Sequence, residues 1–118
     1  PLINNSVPLV NASLSYNQLT GTISPLWYQN KWELLDLSYN KFDGTFPESS
    51  KIFSNQRENT IISLEVNRLS GTIPSSFTSM NSNLNILKGN MLSCGWGKQE
   101  LPQNDPDFAT YTCGSNMV

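Results

Sequence analysis

The sequence contains no histidine, only two cysteines and few charged residues. Without histidine, it lacks the side chain that most often transfers protons near neutral pH, which is also a common zinc ligand. Charged residues make up 14% of the 118 residues, the formal net charge is -2, and no basic run is present that could neutralise a phosphate backbone. We therefore expect no metal or cofactor site and no nucleic-acid partner.

Signals of catalysis and of membrane insertion are also missing. No Ser-His or Cys-His pattern and no phosphate-binding glycine loop occurs, and Glu33 and Asp36 are two acids on a predicted exposed strand. The sequence therefore predicts a protein that is not an enzyme. No apolar run is long enough to span a membrane, and no leader opens the chain. Because the chain begins with Pro1, we expect a mature or truncated segment.

One eight-residue motif occurs in two similar copies, LSYNQLTG at residues 14–21 and LSYNKFDG at residues 37–44. Aligned on its asparagine, the motif has four copies, at Asn17, Asn40, Asn67 and Asn90, which are separated by 23, 27 and 23 residues. In the first three copies a glycine follows four positions after the asparagine. Apolar residues follow two and six positions after it. A fixed period of this kind predicts a solenoid, because one repeat cannot bury its own apolar side.

Apolar residues precede each asparagine at alternating positions, such as Leu35 and Leu37 before Asn40. This period of two predicts a short strand in each coil, with stacked strands about 4.8 Å apart in a parallel sheet. One buried column is predicted to contain Leu14, Leu37, Leu64 and Leu87. The asparagines are predicted to form a ladder, since a buried amide can bond backbone groups of its own and neighbouring coils.

The shared motif L-S-x-N-x-L-x-G-x-I-P resembles plant-type leucine-rich repeats, as found in receptor-like kinases, receptor-like proteins and polygalacturonase inhibitors. The resemblance implies a leucine-rich-repeat solenoid of the α/β type, with one short parallel strand per coil and little helix. About four coils and a C-terminal cap are expected. The C-terminal segment departs from the plant pattern, whose cap more often has closely spaced cysteines after the last repeat.

We predict three segments: the end of a preceding repeat at 1–8, the repeats at 9–93, and a C-terminal cap at 94–118. The third step is longer because of extra residues within 48–59, which we interpret as a convex loop or, alternatively, as a binding loop. Apolar residues of the cap are predicted to cover the open edge of the last coil; they are Trp96, Leu101, Phe108 and Tyr111. No such cap precedes the first copy, so further repeats are expected before Pro1.

The two cysteines, Cys94 and Cys113, are interpreted as a disulfide rather than as two free thiols. Two glycosylation sequons, at Asn4 and Asn11, fit the same oxidising compartment. Together they predict an extracellular or cell-surface location. A glycan on Asn11 would cover part of the predicted concave face.

Residues that alternate with the buried ones are predicted to face outward on the concave side, where Leu34, Ile61 and Leu84 would form an apolar row. An apolar row beside charges is typical of a protein-binding surface, although the same row could serve only to stabilise the sheet. Tyr16 and Tyr39 lie one coil apart and could stack as a structural pair. The predicted ligand surface comprises Tyr16, Leu34, Asp36, Tyr39, Ile61, Glu65, Leu84, Ile86 and Lys88.

These features favour an extracellular protein-binding module that recognises a protein or peptide through its concave face, as part of a larger receptor-like protein. A structural spacer or terminal cap of a membrane-bound repeat protein is the first alternative. The second alternative, implied by the resemblance to polygalacturonase inhibitors, is inhibition of a secreted polysaccharide hydrolase. Repeat scaffolds host many partners, so the sequence does not identify the ligand.

Overall fold

The structure is a computed structural model, and it describes residues 9–47, 53, 56, 59–77, 83–94 and 101–113. Its strands, in chain order, are β1 Asn11–Ser13, β2 Thr20–Gly21, β3 Leu34–Asp36, β4 Lys41–Thr45, β5 Ile61–Ser63, β6 Arg68–Gly71, β7 Asn83–Asn85 and β8 Met91–Leu92. They form two parallel sheets, ordered β1-β3-β5-β7 and β2-β4-β6-β8. The chain is thus a solenoid in which each coil adds one short parallel strand to each sheet.

The second sheet was not predicted, since one strand per coil was expected. It forms because the residues after each ladder asparagine pair with the next coil, as Gly44 does with Leu69. A glycine lies within or at the end of this stretch in the first three coils, and Gly44 and Gly71 have φ of +85° and +81°. A Cβ on Gly71 would lie 2.7 Å from Thr45 Cγ2, so only glycine fits this close approach between coils.

Little helix is present in the described residues. Helix α1 spans Pro25–Gln29, with proline in its first turn and Ser24 as N-cap, whose Oγ accepts from the Leu26 N–H at 3.3 Å. The third coil instead has one 3₁₀ turn, Ser75–Phe77. Tyr28 of α1 and Phe77 of the 3₁₀ turn pack with Phe46 and Phe53 in an aromatic cluster.

Three of the four leucines of the predicted column, Leu37, Leu64 and Leu87, are fully buried, whereas Leu14 in the first described coil is half-buried. Trp32 is also fully buried, and its indole N–H donates to the Trp27 carbonyl at 2.8 Å. The core therefore consists of columns that continue from coil to coil, as expected when each repeat must bury its apolar side on its neighbours.

The ladder asparagines bond backbone groups of two coils. Asn67 Nδ2 donates to the carbonyls of Leu37 and Leu64, both at 3.0 Å, while its Oδ1 accepts from the Phe42 N–H at 3.1 Å. Asn40 and Asn90 make equivalent bonds within their own coils and to the preceding coil. Asn17, in the first described coil, is exposed and bonds carbonyls of its own coil.

The lengthened third step includes 48–59, of which the structure describes Phe53, Gln56 and Asn59. Phe53 is buried in the aromatic cluster, and its N–H donates to the Tyr28 carbonyl at 2.8 Å. Gln56 links this segment to the second coil, since its Oε1 accepts from the Trp32 N–H at 2.8 Å. These contacts anchor Phe53 and Gln56 on α1 and on the residues that follow it.

The fourth coil overturns two predicted positions. Leu84 pairs with Ile62, a buried residue, and Leu84 and Ile86 are 1% and 0% exposed. The prediction that both face outward is therefore wrong. This coil has one more residue between its strand and its asparagine than the others. Ile86 and Leu87 are both buried and together take the place of the single inward leucine of each other coil. The Val66 N–H to Lys88 carbonyl bond of 2.7 Å restores the register at Lys88.

The open edge of the last coil is covered by residues 101–113. Leu101 and Tyr111 are buried there and Phe108 is half-buried against the core, while Trp96 lies outside the described residues. The Tyr111 hydroxyl accepts from the Leu92 N–H at 2.7 Å and lies 2.9 Å from the Asn90 carbonyl oxygen, to which it donates. The edge of the second sheet is thereby supplied with a partner.

A disulfide joins Cys94 to Cys113, whose Cα atoms are 5.6 Å apart, as predicted from the sequence. The bond fastens the end of the covering segment to the last coil. Closing a loop with a sequence separation of 19 stabilises the fold by roughly 3 kcal/mol in the chain-entropy model.

Candidate ligand surface

We define the strand face as the outward residues of β1, β3, β5 and β7 together with the turn residues that follow them. Its first column contains Asn11, Leu34, Ile61 and Asn83, and its second contains Ser13, Asp36, Ser63 and Asn85. The turns add Ser15, Ser38, Glu65 and Lys88, and then Tyr16 and Tyr39. Seven of the nine predicted surface residues lie here, without Leu84 and Ile86.

The apolar part of this face is smaller than predicted. Ile61 is 42% exposed and Leu34 is half-buried, and their register makes them direct neighbours. Asn11 and Asn83 take the two flanking positions of the column. The face therefore presents an apolar pair with an amide on each side, instead of an apolar row that continues into the fourth coil.

Tyr16 and Tyr39 form the most exposed aromatic feature of the face. Their ring centroids are 4.3 Å apart with an interplanar angle of 9°, so the predicted stacking is confirmed. Tyr16 is 75% exposed. Both residues have positive φ, 58° and 56°, which is uncommon for an aromatic residue and requires the surrounding turn to hold it. Val66 and Gly89 occupy the same turn position in the later coils, so the aromatic pair is confined to the first two.

The polar residues of the face are held by short local bonds. The Asp36 Oδ1 accepts from the Ser38 hydroxyl at 2.6 Å and from the Ser38 N–H at 3.1 Å. This fixes the Asp36 side chain beside Ser38, which is buried although it belongs to the outward set.

Glu65 lies among several charged side chains. Desolvation is the main cause that raises the pKa of its carboxyl above the usual value. The negative charges of Asp107, Asp105 and Asp36 raise that pKa further, while the Lys88 charge lowers it. Carboxylates from the strand face and from the covering segment thus act on Glu65, and the charge of Lys88 has a larger effect on its pKa than any one of them.

Asp105 holds the end of the strand face in place. It is 3% exposed, and its Oδ2 accepts from the N–H groups of Ile86 and Leu87 at 2.7 and 3.1 Å. Its Oδ1 accepts from the Asp107 N–H at 2.9 Å. Burial raises the pKa of Asp105, and these three N–H donors act in the opposite direction. No repeat pattern in the sequence indicates this role.

Of the two sequons, Asn11 is exposed at one end of the first column, beside Leu34, and Asn4 lies outside the described residues. A glycan attached to Asn11 would border the apolar pair. Among the described residues, no group of three or more histidine, cysteine or acidic side chains could hold a metal ion. No helix within the same part of the chain is long and apolar enough to cross a membrane.

The main omissions of the sequence reasoning are Asn83 and Asn85, which occupy the outward positions assigned to Leu84 and Ile86. A signal was present: counting back from Asn90 placed the polar Asn85 in a column that is apolar in the three other coils. Shifting the strand by one residue removes that conflict, because neighbouring residues of a strand point to opposite faces.

The leucine-rich-repeat family model matches residues 31–51, which include β3, Asn40 and β4. The chain is a leucine-rich-repeat protein. The matched stretch provides the buried Leu35 and Leu37 and the outward Leu34 and Asp36, so the repeat accounts for both the core and the spacing of the strand face.

Among solved structures, the leucine-rich-repeat chain is similar to one described as a plant ice-binding protein. The two share 31% sequence identity with a TM-score of 0.58, over 70% of this chain and 26% of the other. The match thus covers about a quarter of that chain's length. No curated protein matches the sequence significantly.

Proposed function

We propose that this leucine-rich-repeat chain is an extracellular protein-interaction module that binds a protein or peptide on its strand face. The observation that carries the proposal is the apolar pair of exposed Ile61 and half-buried Leu34, which lies between amides and beside the carboxylates Asp36 and Glu65. Apolar groups give affinity when they are buried, and polar groups around them fix the orientation of the partner. The leucine-rich repeat supports a role in protein interaction, and the disulfide supports an extracellular location. The proposal also includes that the chain is part of a larger receptor-like protein.

Replacing Ile61 with glutamate is expected to weaken binding at the strand face at least about tenfold, because a charge would occupy the apolar centre of the contact. Ile61 is 42% exposed, so the fold is expected to tolerate the change. The measurement is the dissociation constant of peptides selected on the wild-type chain from a displayed random library.

Leu26→Glu is the matched control, because Leu26 is 47% exposed and belongs to α1, outside the strand face. The peptides selected on the wild-type chain are expected to bind Leu26→Glu with unchanged affinity. Selected peptides that bind Ile61→Glu as well as the wild type would contradict the proposed surface, provided that circular dichroism shows both variants folded.

A second candidate function is ice binding, favoured by a separate surface and by the similarity to the plant ice-binding protein. Thr22, Thr45 and Thr72 occupy one repeat position after the glycine, and all three are exposed. The methyl groups of Thr22 and Thr45 lie close to Gly44 and Gly71 of the next coil. The result is a repeated array of hydroxyl and methyl groups, which is suited to a regular solid surface.

If this array binds ice, the wild-type chain is expected to inhibit ice recrystallisation, and Thr45→Lys is expected to abolish the inhibition by placing a charged side chain in the middle of the array. Ile61→Glu serves as the control, since it leaves the threonines intact. Inhibition that is absent in the wild type, or equal in Thr45→Lys, would remove this candidate. Microscopy of ice grain size in frozen sucrose solution provides the measurement.

A further inference from the structure

Tyr16 and Tyr39 are two phenols that their backbones hold in register. They occupy the same turn position in neighbouring coils, with φ of 58° and 56°. The Tyr16 N–H donates to the Ser38 carbonyl at 3.1 Å, and the Tyr39 N–H donates to the Glu65 carbonyl at 3.0 Å. Each turn is thereby bonded to the next coil in the same way, so the two side chains leave their parallel chains in the same direction.

The two rings stack almost as one ring translated from coil to coil. Their centroids are 4.3 Å apart and their planes differ by 9°, a separation close to the usual strand spacing of about 4.8 Å. Because the side chains leave in the same direction, the two hydroxyls lie side by side, and so do the ring carbons next to them. Desolvation and then the neighbouring Tyr39 raise the pKa of the Tyr16 hydroxyl, in agreement with this arrangement.

Stacked phenols are arranged for oxidative coupling. Removal of one electron and one proton from each phenol gives two phenoxyl radicals, whose unpaired electrons lie partly on the carbons ortho to oxygen. A C–C bond between two such carbons forms perpendicular to both ring planes, which is the direction in which stacked rings face each other. The separation of 4.3 Å is close to the separation of about 3–3.5 Å from which bonds form, so the rings are nearly placed for an intramolecular step.

Exposure distinguishes this pair from the other tyrosines of the chain. Tyr16 is 75% exposed and Tyr39 is half-buried, whereas Tyr28 and Tyr111 are 3% and 4% exposed. Of the ring pairs in the described residues, the stack of Tyr16 on Tyr39 is the one that joins two tyrosines. An oxidant in solution therefore reaches the pair whose geometry favours coupling.

We propose that Tyr16 and Tyr39 are a site of oxidative crosslinking, at which a haem peroxidase that uses hydrogen peroxide joins the two rings into dityrosine. The pair loses two electrons and two protons, which convert one hydrogen peroxide into two water molecules. One C–C bond forms between the ortho carbons. Each ortho hydrogen then leaves as a proton and each oxygen takes one up, so both phenols are restored. The link fastens the first two described coils, at the end of the solenoid opposite to the Cys94–Cys113 disulfide.

The test oxidises the folded 118-residue chain with a haem peroxidase and hydrogen peroxide. The expected product is a monomer that shows dityrosine fluorescence and has lost two hydrogen atoms, and fragment mass spectrometry is expected to place the link between Tyr16 and Tyr39. Tyr16→Phe and Tyr39→Phe are each expected to lower the yield of this product at least about tenfold, because one radical partner is missing. Tyr28→Phe is the matched control and is expected to leave the yield unchanged, since Tyr28 is buried.

Several results would overturn this inference: no dityrosine in the wild type, dityrosine only in covalent dimers, a link between other tyrosines, or an equal yield in Tyr16→Phe. Circular dichroism checks that the variants are folded. The linked fraction is expected to stay constant when the chain is diluted about tenfold, because the step is intramolecular; a fraction that falls would show coupling between chains instead. The linked chain is expected to unfold at a higher denaturant concentration than the unlinked chain, since the link closes a loop in the unfolded state. An unchanged midpoint would overturn the fastening role of the link.

Discussion

Asp105→Ala is expected to lower the free energy of unfolding by about 4 kcal/mol, since two buried backbone N–H groups lose a charged acceptor and each orphaned donor costs about 1–3 kcal/mol. The donors belong to Ile86 and Leu87, and both bonds are buried. These two residues stand where the other coils have one inward leucine, so the substitution is also expected to loosen the strand face at the fourth coil. Chemical denaturation followed by circular dichroism measures the loss.

Asp107→Asn is the matched control. It removes the same charge from the same turn, but Asp107 supplies its backbone N–H and carbonyl to the bonds seen there, and these remain. We expect a change below about 1 kcal/mol, as for other surface charges. Hydrogen exchange should show Ile86 and Leu87 exposed in Asp105→Ala and protected in the control. Equal losses in the two variants would mean that charge, rather than the bonds to the fourth coil, is responsible.

Asn67→Ala is expected to cost about 3–4 kcal/mol, because the Phe42 N–H and the carbonyls of Leu37 and Leu64 lose their partner in the interior of the ladder. Asn67→Asp is expected to be at least as harmful, since a carboxylate would face the two carbonyl oxygens. The free energy of unfolding and the exchange rate of the Phe42 amide are the measurements.

The chain supplies its own control for this experiment. Asn17 occupies the same repeat position but is exposed, and its amide bonds the carbonyls of Leu14 and Ser15 within its own coil. Asn17→Ala is therefore expected to cost less than about 1 kcal/mol, since solvent can replace these bonds. If Asn17→Ala proves as costly as Asn67→Ala, bridging between coils is not the source of the stability.

The repeat arrangement could be read from the sequence because its constraints are local and recur. Asn40 and Asn67 each require nearby carbonyls at fixed chain positions, and Gly44 and Gly71 require a backbone with positive φ. Each constraint is short in sequence and repeated, so several positions agree on one register. The same reasoning located the buried Leu37 and Leu64 and the outward Leu34 and Ile61.

The fourth coil departs from this register. Its added residue lies between the strand and Asn90. An alignment on the asparagine alone therefore places every residue of the strand one position out of register with the other coils. A shift of one residue exchanges the two faces of a strand, so this alignment predicts solvent-facing positions for the buried Leu84 and Ile86. The bulge is possible because Asp105, from a segment with no repeat pattern, bonds both of its N–H groups.

By itself, the sequence determined that this is a leucine-rich-repeat solenoid, where its core columns lie, and that its two cysteines pair. The tertiary structure decided which residues the strand face presents: an apolar pair flanked by Asn11 and Asn83, a stacked tyrosine pair and a cluster of carboxylates. The reason is that periodicity records contacts between equivalent residues of successive coils. The surface near the last coil depends on contacts between non-equivalent residues, such as Asp105 with Ile86, for which the sequence has no period to read.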